Sequence, residues 1–217
     1  MASLSEENYL KAIYSLSQNH EGKISLTAIA ELLGNNPVSV IDMLRKLSDK
    51  KLITYHKKTG AKLTDKGHKT AVDVVRKHRL WESFLVEKLG YSWDKVHEIA
   101  EQLEHVHDTE LADRLDKFLG FPAFDPHGDP IPKANGKVAR VSKTLLSEIE
   151  PGKNCVVAAV KNTSSEFLQY LHKLEIGIGT KIKVEEKIPF DESVIIQVHK
   201  GKKTTISQKF SQSILVE

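Results

Sequence analysis

The sequence contains a single cysteine, Cys155, among its 217 residues. One cysteine excludes an internal disulfide and a zinc site built from several thiolates. No apolar stretch approaches the roughly 20 residues that a membrane-spanning helix requires. The first ten residues, MASLSEENYL, show no basic segment followed by an apolar one, so no secretory signal is predicted. With 28% charged residues, the chain is predicted to be a cytoplasmic globular protein without a membrane partner.

Charge is distributed unevenly along the chain, although the net charge is only +3. Residues 1–70 carry 11 Lys and Arg against 7 Asp and Glu, whereas residues 71–120 carry 7 against 11. A basic first segment indicates a polyanionic partner, and an acidic second segment indicates cations. Charge alone leaves open the alternative of an uneven surface without a function.

Proline marks the clearest boundary, because four of the seven prolines lie in FPAFDPHGDPIPKANGK. Proline fixes φ and removes a hydrogen-bond donor, so this segment is predicted to be a linker. Apolar residues recur at helical spacing before it, and short β-branched runs alternate with glycine turns after it. The fold class predicted is mainly α with a second, β domain that forms a small SH3-like barrel. The predicted domains are a winged helix–turn–helix (1–70), a helical metal-binding and dimerisation domain (71–120), the linker (121–140) and the SH3-like domain (141–217).

The same patterns predict individual elements. Before the linker we expect six helices. The first spans about 6–19, the second is short and is ended by Gly34, and the third begins at Pro37 with Asn35 or Asn36 as N-cap. The fourth spans 65–89, the fifth runs from Ser92 to about 107, and the sixth runs from Asp108 to Gly120. A hairpin is expected in LITYHKKTGAKLT. After the linker we expect a helix near 165–174 and strands near 155–160, 181–188, 194–199 and 203–207, with a last strand at ILV.

The short helix, tight turn, second helix and basic hairpin of the first segment together form a winged helix–turn–helix pattern. Between residues 36 and 69, nine Lys and Arg stand against three Asp and Glu. Lysines can neutralise phosphates, and residues at the start of the second helix can face the major groove of double-stranded DNA. Asparagine can bind adenine, Val38 a thymine methyl and Asp42 cytosine. Helix–turn–helix geometry also serves contacts between proteins. The predicted DNA-contacting residues are Asn35, Asn36, Pro37, Val38, Ser39, Asp42, Arg45, Lys46, Lys57, Lys58 and Thr59.

Histidine is abundant, with seven of ten residues falling between His56 and His127. On the expected helix 65–89, His78 and Glu82 are four residues apart and share a face. In KVHEIAEQLEHVH, the spacing of His97, Glu101, Glu104 and His105 places all four on one helix side. Imidazole and carboxylate ligands suit Mn²⁺, Fe²⁺, Co²⁺, Ni²⁺ or Zn²⁺. A solvated polar face is the alternative. Acid–base catalysis by these residues is a second alternative to a metal site, although the sequence has neither a nucleophile motif nor HExxH.

Several motifs together resemble the diphtheria toxin repressor family of iron- and manganese-dependent regulators. They are NYLKAIYSL, NPVSVIDMLRKL, RKHRLWE, KVHEIAEQLEHV and DPHGDPIP, and they occur in order along nearly the whole chain. The last segment, with PGKNCVVAAV, LEIGIGTKIKV and ILVE, resembles the FeoA-type SH3-like domain of the longer members. The resemblance implies a homodimeric repressor of metal-uptake genes. Mn²⁺ or Fe²⁺ is the implied activator, and Co²⁺, Ni²⁺ or Zn²⁺ can substitute.

By this resemblance, the primary metal site falls on Asn8, Glu101, Glu104 and His105. The ancillary site falls on His78, Glu82 and His97, with Asp125 and His127 from the linker and Glu166 from the terminal domain. Asn8 replaces the usual Asp or Met, and Thr163 stands where some iron-type members have a carboxylate. Lys11 stands where manganese-type members have a second acidic ligand, which argues against a closely spaced two-metal cluster. Glu101, in place of a cysteine of the iron branch, favours Mn²⁺, while the change at Asn8 keeps Fe²⁺ open.

Two other classes of function remain open from the sequence. One is a metal-dependent hydrolase or a metal-storage protein in which the winged helix is incidental. The other is a FeoA-like accessory that binds a membrane transporter through its terminal domain. Metal-dependent binding of DNA separates the repressor from both.

Overall fold

The computed structural model describes residues 2–19, 23–108, 110–140, 144–199, 201 and 203–217, which contain eight α-helices and eight β-strands. The helices are α1 (Leu4–Asn19), α2 (Leu26–Leu33), α3 (Pro37–Asp49), α4 (Asp65–Leu89), α5 (Val96–Leu103), α6 (Leu111–Phe118), α7 (Ser165–Lys173) and α8 (Gln208–Ser211). The strands are β1 (Ile53–His56), β2 (Gly60–Leu63), β3 (Thr144–Leu145), β4 (Asn154–Val160), β5 (Lys181–Lys187), β6 (Val194–Val198), β7 (Lys203–Ile206) and β8 (Ile214–Val216). Within these ranges, no helix has both the length and the apolar character needed to cross a membrane.

The chain divides into two compact units, each built from separate stretches of sequence. The first unit comprises Met1–His78, Glu101–Asp113 and Pro132–Lys137, and the second comprises Arg79–Ala100, Arg114–Ile131 and Val138–Glu217. Helices α4 and α5 each pass from one unit into the other. Each of these two helices therefore supplies side chains to both units.

Local sequence signals explain the turn between α2 and α3. The side chain of Asn36 accepts a hydrogen bond from the backbone N–H of Val38 at 2.8 Å, and Pro37 occupies the first helical position. Gly34 ends α2 in the left-handed conformation, at a φ of 61°. The predicted cap, first-position proline and glycine stop are confirmed. Together they fix the angle at which α3 leaves the turn.

The core of the first unit lies between α1, α2, α3 and the two-stranded sheet. Strands β1 and β2 pair antiparallel, with Ile53 opposite Leu63 and His56 opposite Gly60. Because the inner faces of the helices are taken up by this core, the outer face of α3 is left to solvent. The helix–turn–helix predicted from the sequence is confirmed, and the sheet forms its wing. The largest of the fully buried apolar side chains of this unit are Leu10, Ile13, Ile29, Leu44, Leu47 and Ile53.

Helix α4 spans Asp65–Leu89, the range predicted from its periodicity and the glycine that follows. Helix α5 ends at Leu103, so its predicted extension to about residue 107 is wrong. Glu104 and His105 lie in the turn that follows α5 rather than on its face. Both side chains contact α1 from that turn, and such tertiary contacts outweigh helix propensity at a helix end.

The second unit contains a six-stranded antiparallel sheet in the order β3-β8-β4-β5-β6-β7. Within the described residues, the edge strands β3 and β7 do not pair with each other. The predicted second, β domain is confirmed as an antiparallel sheet, but the sheet is open, so its strands do not close the small barrel that the sequence predicted. Strand β3 has only two residues, Thr144 and Leu145, and both pair with β8. The fully buried apolar side chains of this sheet and its helices include Leu146, Leu168, Leu171, Ile182 and Ile196.

Candidate functional site

The second unit contains a buried group of potential metal ligands. Glu82 comes from α4, and Asp125 and His127 come from the segment between α6 and β3. Each offers one ligand atom, and the three atoms lie within 4.8 Å of one another. All three side chains are almost completely buried. We call these residues, together with His97 of α5, the Glu82 cluster.

Glu82 is placed between two imidazoles. Its Oε1 lies 3.3 Å from Nδ1 of His97, and its Oε2 lies 3.5 Å from Nδ1 of His127. On the other side of its ring, Nε2 of His127 lies 2.9 Å from the carbonyl oxygen of Trp93. A carbonyl oxygen only accepts, so Nε2 of His127 carries the proton that it donates. When His127 is neutral, its Nδ1 therefore presents a lone pair toward Glu82, as a metal-ligating histidine requires.

A tight turn holds Asp125 in place. Its Oδ1 accepts the backbone N–H groups of His127 at 2.8 Å and of Asp129 at 3.0 Å. Gly128 between them has a φ of +86°, and an added Cβ would lie 2.2 Å from the carbonyl oxygen of Ala158. The turn therefore packs directly against the backbone of β4. Glycine is required here because of both the positive φ and the close approach.

The electrostatics of the Glu82 cluster favour a bound cation. Burial, together with the charges of Asp129 and Glu82, raises the pKa of Asp125 above its usual range. Burial lowers the pKa of His127, but its contact with Glu82 and the charge of Asp125 outweigh burial and raise it. Arg79 offsets this negative charge only in part, because its Nε lies 3.7 Å from Oδ2 of Asp125. Buried carboxylates beside imidazoles are a ligand set that Mn²⁺, Fe²⁺ and Zn²⁺ accept, so the residues present fit such an ion.

Glu166, the ligand predicted from the terminal domain, lies exposed in the first turn of α7. Among the residues that the structure describes, the close group of ligand atoms in this unit comprises Glu82, Asp125 and His127 without Glu166. The sequence did not indicate Arg79 or Trp93 as supporting residues. Both are distinctive residue types near predicted ligands, and that proximity is the signal that would have found them.

The first unit contains a second cluster of charged side chains, where α1 meets the turn after α5. Glu104 is almost fully buried, with 1% of its side chain exposed, and both of its oxygens accept from the Lys11 ammonium, at 3.0 and 2.7 Å. Nδ1 of His105 lies 2.6 Å from Oε2 of Glu7. Nδ1 of His78 lies 2.5 Å from Oε2 of Glu104. We call Glu7, Lys11, His78, Glu101, Glu104 and His105 the α1 cluster.

The predicted primary ligands are distributed around this cluster. Burial raises the pKa of Glu104, but its hydrogen bonds with His78 and Lys11 and their charges outweigh burial and lower it. Glu101 is more exposed, and its Oε1 lies 3.6 Å from the Lys11 nitrogen. Asn8, predicted as the ligand from α1, is half-buried. The side chains of α1 that contact Glu104 and His105 are those of Lys11 and Glu7, which stand one helical turn apart on the same face.

All eleven side chains predicted to contact DNA are exposed in the first unit. Val38 is the clearest case, since 67% of this apolar residue faces solvent at the start of α3. Lys57 and Lys58 lie in the turn between β1 and β2. An exposed apolar residue beside asparagines and a lysine-rich turn is a surface suited to a DNA groove and its phosphates.

Glu6 was not singled out by the sequence, yet it is a fully buried carboxylate at the start of α1. Its oxygens lie 2.9 Å from the Lys46 nitrogen and 2.7 Å from the Lys50 nitrogen at the carboxyl end of α3. Lys46, one of the predicted DNA contacts, is therefore held by α1. The consecutive acids Glu6 and Glu7 before an apolar helix face would have been the signal.

Models of three domains match consecutive parts of the chain. They are the N-terminal DNA-binding domain of iron-dependent repressors (residues 1–61), the metal-binding and dimerisation domain of iron-dependent repressors (residues 64–133) and the FeoA domain (residues 144–217). The chain is 39% identical over 185 residues to the diphtheria toxin repressor of Corynebacterium jeikeium, covering 84% of this chain and 76% of that protein. The chain belongs to the diphtheria toxin repressor family.

Three further proteins are similar to nearly the whole chain. The iron-dependent repressor IdeR of Mycobacterium leprae is 29% identical over 227 residues, covering 97% of this chain and 96% of that protein. A manganese-dependent transcriptional repressor in complex with manganese is 33% identical, with a TM-score of 0.87 over 97% of this chain and 98% of that one. The structure of ScaR with bound Zn²⁺ is 34% identical, with a TM-score of 0.79 over 98% of each chain.

Proposed function

We propose that this chain is a divalent-metal-activated repressor of transcription. It binds double-stranded operator DNA as a homodimer in the cytoplasm and controls genes of metal-ion uptake and homeostasis. The observation that carries this proposal is the buried Glu82 cluster, in a chain whose α3 and wing expose a surface suited to DNA. Membership of a family of repressors supports this function over a hydrolase, a storage protein or a transporter accessory.

Mn²⁺ or Fe²⁺ is the activator that we propose, and Co²⁺, Ni²⁺ or Zn²⁺ can substitute. A bound divalent ion would supply the positive charge that offsets the buried Glu82 and Asp125 carboxylates. The ligands are Glu82, Asp125 and His127, with His97 beside Glu82 and His78 one helical turn before it on α4. The turn at Gly128 holds Asp125 and His127 against β4, and the Trp93 carbonyl orients the His127 ring. Glu166 of α7 belongs to the same proposal as a ligand from the terminal domain.

Helix α4 offers the route by which the ligands influence the DNA-binding surface. The helix begins directly after the wing, where Thr64 Oγ1 accepts the N–H of Gly67 at 3.1 Å. A Cβ on Gly67 would lie 1.8 Å from the Leu52 carbonyl oxygen, so the first turn of α4 is seated on the start of the wing. The same continuous helix carries Glu82. A metal ion bound to Glu82 would therefore hold α4 in place, and with it the wing that α4 follows. In a dimer, this would set the distance between the two α3 helices that contact DNA.

The proposal assigns a task to each predicted domain. Residues 1–70 bind DNA, residues 71–120 bind metal and form the dimer, residues 121–140 link and supply ligands, and residues 141–217 form the FeoA-like domain. Asn35, Asn36, Pro37, Val38, Ser39 and Asp42 read bases, while Arg45, Lys46, Lys57, Lys58 and Thr59 contact the backbone. The predicted primary ligands, Asn8, Glu101, Glu104 and His105, form a cation-binding group where α1 meets the turn after α5, whether the cation is a metal ion or an ammonium of the chain itself.

The test compares Glu82→Gln with Glu87→Gln, which removes an exposed carboxylate from the same helix. A DNA duplex is selected from a random-sequence pool in the presence of Mn²⁺, and its affinity is measured with Mn²⁺ and after chelation. Wild type and Glu87→Gln bind more tightly with Mn²⁺, while Glu82→Gln does not respond at the same concentration. Loss of an outer-shell partner alone costs about 10–100-fold in metal affinity, so loss of a ligand costs at least that. An unchanged response of Glu82→Gln contradicts the proposal.

A further inference from the structure

The α1 cluster already contains a cation, which is the ammonium group of Lys11. Its nitrogen lies 2.7 and 3.0 Å from the two oxygens of Glu104, 3.3 Å from Nδ1 of His78 and 3.6 Å from Oε1 of Glu101. All three partners are residues that the sequence predicted as metal ligands. The ammonium therefore contacts two of the four predicted primary ligands, Glu101 and Glu104, and one predicted ancillary ligand, His78.

The surroundings of Lys11 are built for a positive charge. Glu104 is almost fully buried, and only 19% of the Lys11 side chain is exposed. A buried carboxylate left without a partner is costly, whereas a direct hydrogen-bonded ion pair offsets much of that cost. The neighbouring pair of Glu7 and His105 closes the same contact between α1 and the turn after α5. The contact is thus complete with groups that the chain itself supplies.

A divalent ion and this ammonium exclude each other. Carboxylate oxygens bind Zn²⁺ at about 2.0–2.2 Å, and both Glu104 oxygens are engaged by Lys11. A protonated lysine has no lone pair with which to coordinate a metal. A second cation beside it would repel it at short range in a poorly solvated pocket. A metal can enter only if the Lys11 side chain leaves.

We propose that Lys11 is the resident cation of the α1 cluster and keeps divalent metal out of it. Metal sensing in this chain then depends on the Glu82 cluster alone. The contact between α1 and the turn after α5 is closed whether or not metal is present. Glu6 forms ion pairs that connect α1 to α3. The closed contact of α1 with the turn after α5 therefore also keeps α3 in place without metal. The inference rests on the proposed function, to which it adds the identity of the metal-responsive site.

The experiment counts bound Mn²⁺ per chain by equilibrium dialysis and elemental analysis, with no DNA present. The test variant is Lys11→Ala, which removes the ammonium and leaves space for an ion, while alanine still favours the helix. The control is Lys66→Ala, which removes an exposed lysine charge of α4. Lys11→Ala gains one ion per chain relative to wild type, and Lys66→Ala gains none. Adding Glu104→Gln to Lys11→Ala removes the extra ion. An unchanged count in folded Lys11→Ala overturns the proposal.

A second pair of variants keeps the test decisive if Lys11→Ala fails to fold. Lys11→Arg retains the positive charge, and Glu104→Gln alone removes the partner of Lys11. Both are expected to bind as many ions as wild type. A loss of one ion in Glu104→Gln means that the α1 cluster binds metal in the wild-type chain, which overturns the proposal. These ion counts are made without DNA, so they test only this inference. The proposed function fails in a different measurement, namely if Mn²⁺ binds at the Glu82 cluster but does not change the affinity for DNA.

Discussion

Glu6 is one residue that connects the start of α1 with α3, the helix proposed to contact DNA bases. Burial by itself raises the pKa of Glu6. The hydrogen bonds from Lys50, the Ser3 backbone and Lys46 outweigh burial and lower the pKa to about 2. A carboxyl group whose pKa is lower in the folded chain stabilises the fold above its unfolded value of 4.5. That stabilisation is lost as the pH falls toward 2.

Replacing Glu6 with Gln is expected to lower the free energy of unfolding by about 2 kcal/mol near neutral pH, because charge-assisted hydrogen bonds to two lysines are lost. The difference from wild type narrows as the pH falls from 4.5 toward 2. Denaturant unfolding at several pH values measures it. The control is Glu31→Gln, an exposed carboxyl on α2, which has little effect. A difference that does not depend on pH would show that the ion pairs are not its source.

At the scale of elements, the turn at Gly128 and the wing are short segments whose backbone geometry positions functional side chains. The turn places two proposed ligands of the Glu82 cluster against β4, and the wing presents two lysines to solvent. Each can be changed without removing a proposed ligand or a base-reading residue. Their variants therefore test positioning and charge separately.

Gly128→Ala is expected to weaken Mn²⁺ binding by about 10–100-fold, the range seen when ligand-supporting groups are lost. The new Cβ meets the β4 backbone, so the turn that carries Asp125 and His127 must shift. Gly136→Ala is the matched control, because it also has a positive φ but nothing within 4 Å of the added Cβ. Calorimetric titration compares the two. Equal losses in both variants would assign the effect to backbone strain alone.

Changing both Lys57 and Lys58 to Ala is expected to weaken DNA binding and to shallow its salt dependence. Each lost phosphate contact reduces the slope of log affinity against log salt by about 0.9. Affinity measured at four or more salt concentrations gives this slope. Lys161 and Lys173, exposed in the second unit, provide the control pair. If the slope matches wild type, the wing does not lie on the DNA backbone.

For the whole molecule, local signals predicted the elements better than the sites. The range of α4 and the Asn36 cap follow from residues within a few positions of each other. The ammonium of Lys11 in the α1 cluster depends on Glu104, 93 residues away. No periodicity reveals which side chain of α1 contacts the turn after α5. The open sheet was missed for the same reason, since closure depends on how the edge strands pair.

The Glu82 cluster brings together four residues that the sequence predicted as ancillary ligands, and their residue types are restrictive. Buried carboxylates and imidazoles require hydrogen-bonding or charged partners. The residues that the family motifs supply therefore lie next to one another in the fold. The supporting groups, Trp93 and Arg79, act through a backbone carbonyl and a partial charge. Their proximity in sequence to predicted ligands marks both residues, but it does not reveal these roles.

The most direct test of metal-dependent repression is the affinity of the unmodified protein for its selected DNA duplex, with Mn²⁺ and after thorough chelation, at an ionic strength of about 0.15 M. Mn²⁺ should tighten binding by about 5–150-fold, the usual range of coupling between sites. By linkage, the duplex should raise Mn²⁺ affinity by the same factor. Equal affinity for the duplex in chelator and in Mn²⁺ would contradict the account.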